Sequence, residues 1–246
     1  MSQKVVAIIQ ARMGSQRLPG KSTLKLAGEP LIGRILERVI QSELLDEVIL
    51  AVPNTSENLV LIDIASSYSV KSSAGSENDL IDRYYQAAKN TKADYVVRIP
   101  ADNPVSHPTE IDKIVSHHIS LGRAGFSTNL AEIQNSGYPD GIGAEIFDFE
   151  LLESVWGHRK DTKKMEHVHL NFYDYSSQIA IDEAWCPIST VKCPNHWARP
   201  DIILDVNTMD QYEYMSHLYS DLYRINPNFT MDEIIPWHDK RSMGKE

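Results

Sequence analysis

Two cysteines in 246 residues are too few for a disulfide framework, so Cys186 and Cys193 are read as reduced thiols. The chain also lacks any run of about 18 apolar residues, the length a membrane-crossing helix needs. Met1 to Val6 shows no basic start, apolar stretch and small-residue cleavage site. A cytoplasmic protein without a membrane partner is expected. Cations are in short supply, 24 Lys and Arg against 34 Asp and Glu for a net charge of -10. A nucleic-acid polymer needs a broad basic face, and this balance argues against one. There is no internal repeat, no low-complexity tract and no segment polar enough for a disordered linker. With 42% hydrophobic residues the chain can bury a full core, so residues 1–246 are expected to form a single domain. Neither G-x-x-x-x-G-K-[ST] nor G-x-G-x-x-G follows the first apolar run, and no G-x-S-x-G elbow occurs, which argues against the familiar nucleotide loops and against a hydrolase.

What is present is AIIQARMGSQRLPGK, Ala7 to Lys21, an apolar strand running into a small cationic loop. Gly14, Ser15 and Gly20 let a backbone approach a ligand closely, and Arg12, Arg17 and Lys21 bring positive charge. Isolated residues of these types make an ordinary turn, but three cations just beyond a strand end are equipped to hold a polyphosphate.

Strand and helix patterns alternate through the first half. Lys4 to Gln10, Val48 to Val52 and Ala93 to Pro100 read as buried strands. Leu31, Ile32, Ile35, Leu36, Val39 and Ile40 form the stripe of a helix covering a sheet. Further helices are expected over Ser56 to Tyr68, over Asn78 to Asn90 and from Pro108, with Ile111, Ile114, Val115 and Ile119 facing inward. The alternation predicts an α/β fold, a mostly parallel sheet with helices on both faces, whose ligands bind beyond the carboxyl ends of the strands. Beyond residue 125 the pattern changes. Gly143 to Asp148, Gln178 to Ile181 and Ile202 to Val206 read as strands, and Phe149 to Trp156, Met165 to Tyr175 and Thr208 to Tyr223 as helices. A small mixed lid or dimer arm is expected within residues 130–200.

A bound polyphosphate is commonly neutralised by a hard divalent cation held on one or two carboxylates, so acidic residues at strand ends are candidates. Asp102 follows a strand directly, in a turn fixed by Pro100 and Pro104. Asp205 and Asn207, at i and i+2 of an extended segment, can face one ion together. Ser76 and Asp79 also fit an S-x-x-D cap, and Arg83 one turn on suits a surface ion pair as well as a ligand. His167 and His169, at i and i+2, with Cys186, Cys193 and His196 downstream, invite a zinc site, but C-x₆-C-x₂-H fits no tight finger spacing.

The opening loop, Gly75-Ser76-Glu77-Asn78-Asp79, Ala101-Asp102-Asn103-Pro104, Tyr138-Pro139-Asp140-Gly141, Glu166-His167-Val168 and the RPDIILDVNT ending occur in one order. That order resembles the bacterial cytidylyltransferases that activate acidic sugars, in particular the spore-coat polysaccharide branch, related to CMP-KDO and CMP-sialic acid synthetases. The resemblance implies a Rossmann-like fold of the nucleotide-diphospho-sugar transferase type. It also implies CTP and Mg²⁺ as reactants, a small acidic acceptor, and a homodimer. It assigns Arg12, Lys21 and Asp102 to catalysis, and Ala11, Arg12, Gly14, Ser15, Arg17, Lys21, Ser76, Asp79 and Arg83 to the nucleotide. Asp140, Glu145 and His167 fall to the acceptor, and Asp102, Asp205 and Asn207 to the metal. Two departures stand out: Asn207 where the family commonly has Asp, and Gly143 where that branch often has Asp, which points to an altered acceptor pocket. A sugar-1-phosphate nucleotidylyltransferase and a nucleotide-binding protein without turnover share these residues.

Overall fold

The computed structural model describes residues 3–159 and 162–243; Met1 and Ser2, the start of the stretch read for a leader, lie outside the described residues. Val5 to Ile9 is apolar on both faces of an extended chain, which requires cover on both sides. It forms β1 (Val5–Gln10), followed by the small ribbon β2 (Lys25–Leu26) and β3 (Glu29–Pro30). Next come α1 (Leu31–Val39), β4 (Glu47–Pro53), α2 (Leu59–Ser67), β5 (Lys71–Gly75), α3 (Leu80–Thr91), β6 (Tyr95–Pro100) and α4 (Pro108–Ser120). The second half adds β7 (Phe126–Thr128), β8 (Glu145–Asp148), α5 (Phe149–His158), α6 (Thr162–Glu166), β9 (Tyr173–Asp174), β10 (Ile179–Ala180), β11 (Ile188–Ser189), α7 (Met209–Leu222) and α8 (Met231–Met243).

One seven-stranded sheet runs in the order β11-β7-β8-β6-β1-β4-β5. β1 pairs in parallel with β4 and β6, β4 with β5, and β11 with β7, while β8 runs antiparallel between β6 and β7. The strand period of two sorts the core. Val5, Ala7 and Ile9 pack with α1, α2, α4 and α7 on one face, and Val6 and Ile8 with α3 and α5 on the other. Each large aliphatic side chain buried in these layers contributes about 1.5–3 kcal/mol. The architecture is the Rossmann-like, mostly parallel sheet expected. Among the described residues no helix is long and apolar enough to cross a membrane.

Several elements differ from their sequence reading. Ile40 is 46% exposed, because α1 ends at Val39 and the stripe turns away from the sheet. Ser56 to Asn58 is a 3-10 turn, and α2 begins only at Leu59. Met165 to Tyr175 is not one helix: His167 is extended (φ -137°, ψ 95°), and a 3-10 turn over Val168–Asn171 leads into the β9–β10 hairpin. The Asn171 side chain donates to the carbonyls of Lys164 and Val168, holding the break. Ile202 to Val206 keeps the expected alternation, with Ile202, Leu204 and Val206 buried and Ile203 exposed. It joins no strand, however, because its partners are loops: Ile202 and Leu204 bond the backbone of Asp140, and Val206 N donates to Asp102 O at 2.8 Å. α8 and the strands β5, β7 and β11 were not foreseen.

Candidate active site

The loop after β1 is pinned at both ends. Ala11 N donates to Ala51 O at 3.1 Å and Met13 N to Asn58 Oδ1 at 2.9 Å, which continues the β1–β4 pairing into the turn. Leu18 anchors its middle, 4% exposed, and Gly20 takes φ +68°, a conformation that favours glycine. Lys21 then opens a 3-10 turn. Between those anchors the loop curls over a cavity of about 440 Å³ at the carboxyl ends of β1 and β6. Arg12, Arg17 and Lys21 line it from the loop, Arg83 from α3, Asp102 from the turn after β6, and His167 and Asn207 from the far half of the chain. Ala11 and Ser15 line it too.

The charged groups fall into two sets. In one, Arg12, Arg17 and Arg83 make no salt bridge among the described residues. Arg83 is not a surface residue: it is 2% exposed, its Nη1 donates to Ser76 O at 2.9 Å, and its Nε has no partner. Burial lowers its pKa to about 10, and Glu77 and Asp79 act against that shift, so the site holds a buried cation that makes no salt bridge among the described residues. The other set is carboxylates: Asp102 lines the cavity with Glu77 and Glu166, and Asn207 joins Asp205 to Arg17. Lys21 Nζ sits 2.9 Å from Asp102 Oδ2 and 2.9 Å from Val206 O. Burial and the neighbouring Asp102 raise the Asp205 pKa, and Asp140 is pushed to about 7 by burial and then by Asp205 and Asp102. Hard divalent cations take carboxylate oxygens, and Asp102 and Asp205, close enough for Asp102 to raise the Asp205 pKa, are a donor pair that fits Mg²⁺.

The remaining predicted residues lie elsewhere. Asp205 is held by Gln211 Nε2 at 2.8 Å and by Asn207 Nδ2. Asp140 stands with the carboxylates, away from His167. Gly14 does not line the cavity; a Cβ there would meet Glu57 Oε1 at 3.7 Å. Ser76 does not cap α3: its Oγ accepts from Asp79 N, and Asp79 is the cap, accepting from Asp82 N at 2.8 Å. The other Asp79 oxygen takes Arg159 Nε at 2.6 Å, so this carboxylate faces away from the cavity. Glu145 is 0% exposed, paired with Arg98 at 2.6 Å and accepting from Tyr175 OH at 3.0 Å, and is thereby sealed behind the cavity wall. Burial keeps His167 below its ordinary pKa and takes His169 behind it down to about 4, so both rings are neutral at pH 7.

Gly143 does not widen an acceptor pocket. The position of its missing Cβ lies 2.1 Å from Asn129 O, and Asn129 is fully buried. Cys186 and Cys193 belong to opposite apolar layers and cannot share a zinc ion with His196. Sequence reasoning missed Gln10, Glu77, Asn78 and Glu166, which also line the cavity. Glu77 and Asn78 lie in the Gly75–Asp79 motif and Glu166 in Glu166-His167-Val168, motifs whose neighbouring residues the resemblance assigns to the site.

Residues 6–225 match the family model described as cytidylyltransferase. The spore coat polysaccharide biosynthesis protein SpsF of Bacillus subtilis is 26% identical over 240 residues, covering 94% of this chain and 92% of that protein. A cytidylyltransferase structure from Leptospira borgpetersenii superposes with a TM-score of 0.84 at 28% identity, over 98% of this chain and 96% of that one. A structure of CMP:2-keto-3-deoxy-manno-octonic acid synthetase complexed with CTP shares the fold, with a TM-score of 0.66 at 17% identity over 89% and 99% of the two chains.

Proposed function

The chain belongs to the cytidylyltransferase family, and from that premise we propose that it transfers the cytidylyl group of CTP to a small acidic sugar, releasing pyrophosphate, in the cytoplasm and for a surface polysaccharide. The observation that carries the reading is the cavity itself, a space of about 440 Å³ lined by Arg12, Arg17, Lys21 and Arg83 together with Asp102, to which Asn207 joins Asp205. A triphosphate needs the first set and its metal the second. CTP is supported by the family and by the related synthetase whose structure holds it; the polysaccharide role is supported by the likeness to SpsF.

The acceptor oxygen attacks the α-phosphorus in line as the bond to the bridging oxygen breaks, and pyrophosphate leaves with that electron pair. Arg12, Arg17 and Lys21 would lie against the phosphate oxygens, where fixed cations stabilise the charge that grows on the leaving group. Arg83 would add a buried cation, whose interaction with phosphate is stronger for its low-dielectric setting. Mg²⁺ would be held by Asp102 and Asp205 and would supply charge neutralisation at the phosphates. His167, which lines the cavity, would offer the acceptor a hydrogen-bond partner. The β9–β10 hairpin and the segment after it expose Ile179, Ile181 and Trp185, which supports a homodimer joined through this arm.

Pyrophosphate release tests the reading. CTP, UTP, ATP and GTP are each offered with 2-keto-3-deoxy-manno-octonic acid, N-acetylneuraminic acid and sugar 1-phosphates. Release with CTP and an acid is expected. Release only with a sugar 1-phosphate, or CTP binding without turnover, would refute it.

A further inference from the structure

Asn207 occupies the position where the resemblance places a second acid, yet its amide is engaged at both ends. Oδ1 accepts from Arg17 Nη2 at 2.7 Å and from Lys21 Nζ at 3.2 Å, and Nδ2 donates to Asp205 Oδ2. Its backbone N–H donates to Gln211 Oε1 at 2.8 Å, while Gln211 Nε2 holds the other Asp205 oxygen at 2.8 Å. A carboxylate at 207 has no hydrogen to give Asp205 and would set two negative charges in contact. The amide instead joins an anion on one side to two loop cations on the other. Lys21 Nζ meanwhile bridges Asn207 Oδ1 and Asp102 Oδ2, so the ground between residues 102 and 207 already carries a tethered positive charge. Among the described residues no three His, Cys, Asp or Glu side chains are placed to hold a metal ion together. An ion on Asp102 and Asp205 therefore needs oxygens from the nucleotide to complete its shell.

We infer that Asn207 is a positioning residue and not a metal ligand: it aims Arg17 and Lys21 at the triphosphate and fixes Asp205, so that the site takes one divalent cation, which binds together with the nucleotide. This rests on the nucleotidyl-transfer reading above. Lys21 supplies the charge that a second ion would bring, and a second ion beside it would meet repulsion.

The test uses Mn²⁺ as probe and a CTP analogue with a methylene between the α- and β-phosphorus, so that binding is read without turnover. The electron paramagnetic resonance signal of free Mn²⁺, titrated against wild-type protein saturated with the analogue, is expected to show one ion bound per chain, and two would overturn the inference. Asn207→Ala is expected to weaken analogue binding about tenfold, the size of a hydrogen bond to a charged group. Its Mn²⁺ stoichiometry in the analogue complex should stay at one ion per chain. Mn²⁺ affinity falling about tenfold with analogue binding unchanged would make the amide a metal ligand and overturn the inference. Adding Arg17→Ala to Asn207→Ala should cost less than the product of the two single effects, because both act through one contact; full additivity would contradict the positioning role. The wild-type titration stands whether or not a variant folds. No binding of the analogue at all would remove the nucleotidyl-transfer reading and this inference with it, whereas binding with two Mn²⁺ would remove this inference alone.

Discussion

A Cβ on Gly143 would come 2.1 Å from the carbonyl oxygen of Asn129 and 2.3 Å from its Oδ1. Asn129 cannot withdraw, because its Nδ2 donates to Glu110 O at 2.8 Å and its Oδ1 accepts from Ala144 N at 2.9 Å. Since the nearest atom is backbone, no side-chain rotation relieves the clash, and Gly143→Ala is expected to lose about 2–3 kcal/mol of stability. Urea unfolding measures this, and a loss below about 0.5 kcal/mol would show that the turn accommodates the methyl group. The departure at Gly143, which suggested a changed acceptor pocket, is thus a packing requirement. Lys21, Arg17 and Asp102 were legible in the sequence because charge just beyond an apolar strand has few uses other than a ligand. Asn207 was legible as part of the site but not in its role, which depends on a contact with Arg17 across 190 residues. Glu145 was misplaced for a related reason: nothing local distinguishes a carboxylate that faces a ligand from one sealed against an arginine on another strand.

Arg98 on β6 and Glu145 on β8 are register partners in an antiparallel pair, and both side chains are less than a tenth exposed. Removing one partner leaves a buried charge without compensation, so Arg98→Met is expected to cost about 3–5 kcal/mol, and Arg98→Met with Glu145→Leu to recover most of it. Denaturant midpoints of the two variants decide this; a neutral single variant would mean that water reaches Glu145. Among elements, those whose own residues carry the pattern were legible. β1, β4 and β6 are apolar on both faces, and α1 and α4 present a full stripe. β5, with sequence Lys-Ser-Ser-Ala-Gly, carries no apolar alternation because it is an edge strand held by pairing with β4 alone. Residues 202–206 show the reverse case. Their alternation is genuine, but it reports burial against loops, and a period of two does not say which partner supplies the hydrogen bonds.

At the scale of the whole molecule, an acidic chain brings four cations, Arg12, Arg17, Lys21 and Arg83, to one cavity at the end of a mostly parallel sheet. Asp102, His167 and Asn207 line the same cavity from distant parts of the sequence. The carboxyl ends of β1 and β6 place the loop cations opposite Asp102, and the segment that leaves Ile202 places Asp205 and Asn207 beside them. On the proposed function, these cations would attract a small polyanion to a chain whose net charge of -10 disfavours larger ones.

The most direct measurement of the central claim follows the phosphorus. 2-keto-3-deoxy-manno-octonic acid and N-acetylneuraminic acid, each ¹⁸O-labelled in the anomeric hydroxyl, are incubated with CTP and Mg²⁺ and observed by ³¹P nuclear magnetic resonance. With at least one of these acids the account predicts a phosphodiester resonance carrying the ¹⁸O isotope shift, one pyrophosphate per cytidylyl group transferred, and a rate at least about 10²-fold lower in Asp102→Ala. CTP consumed without a labelled phosphodiester, or Asp102→Ala with wild-type turnover, would contradict it.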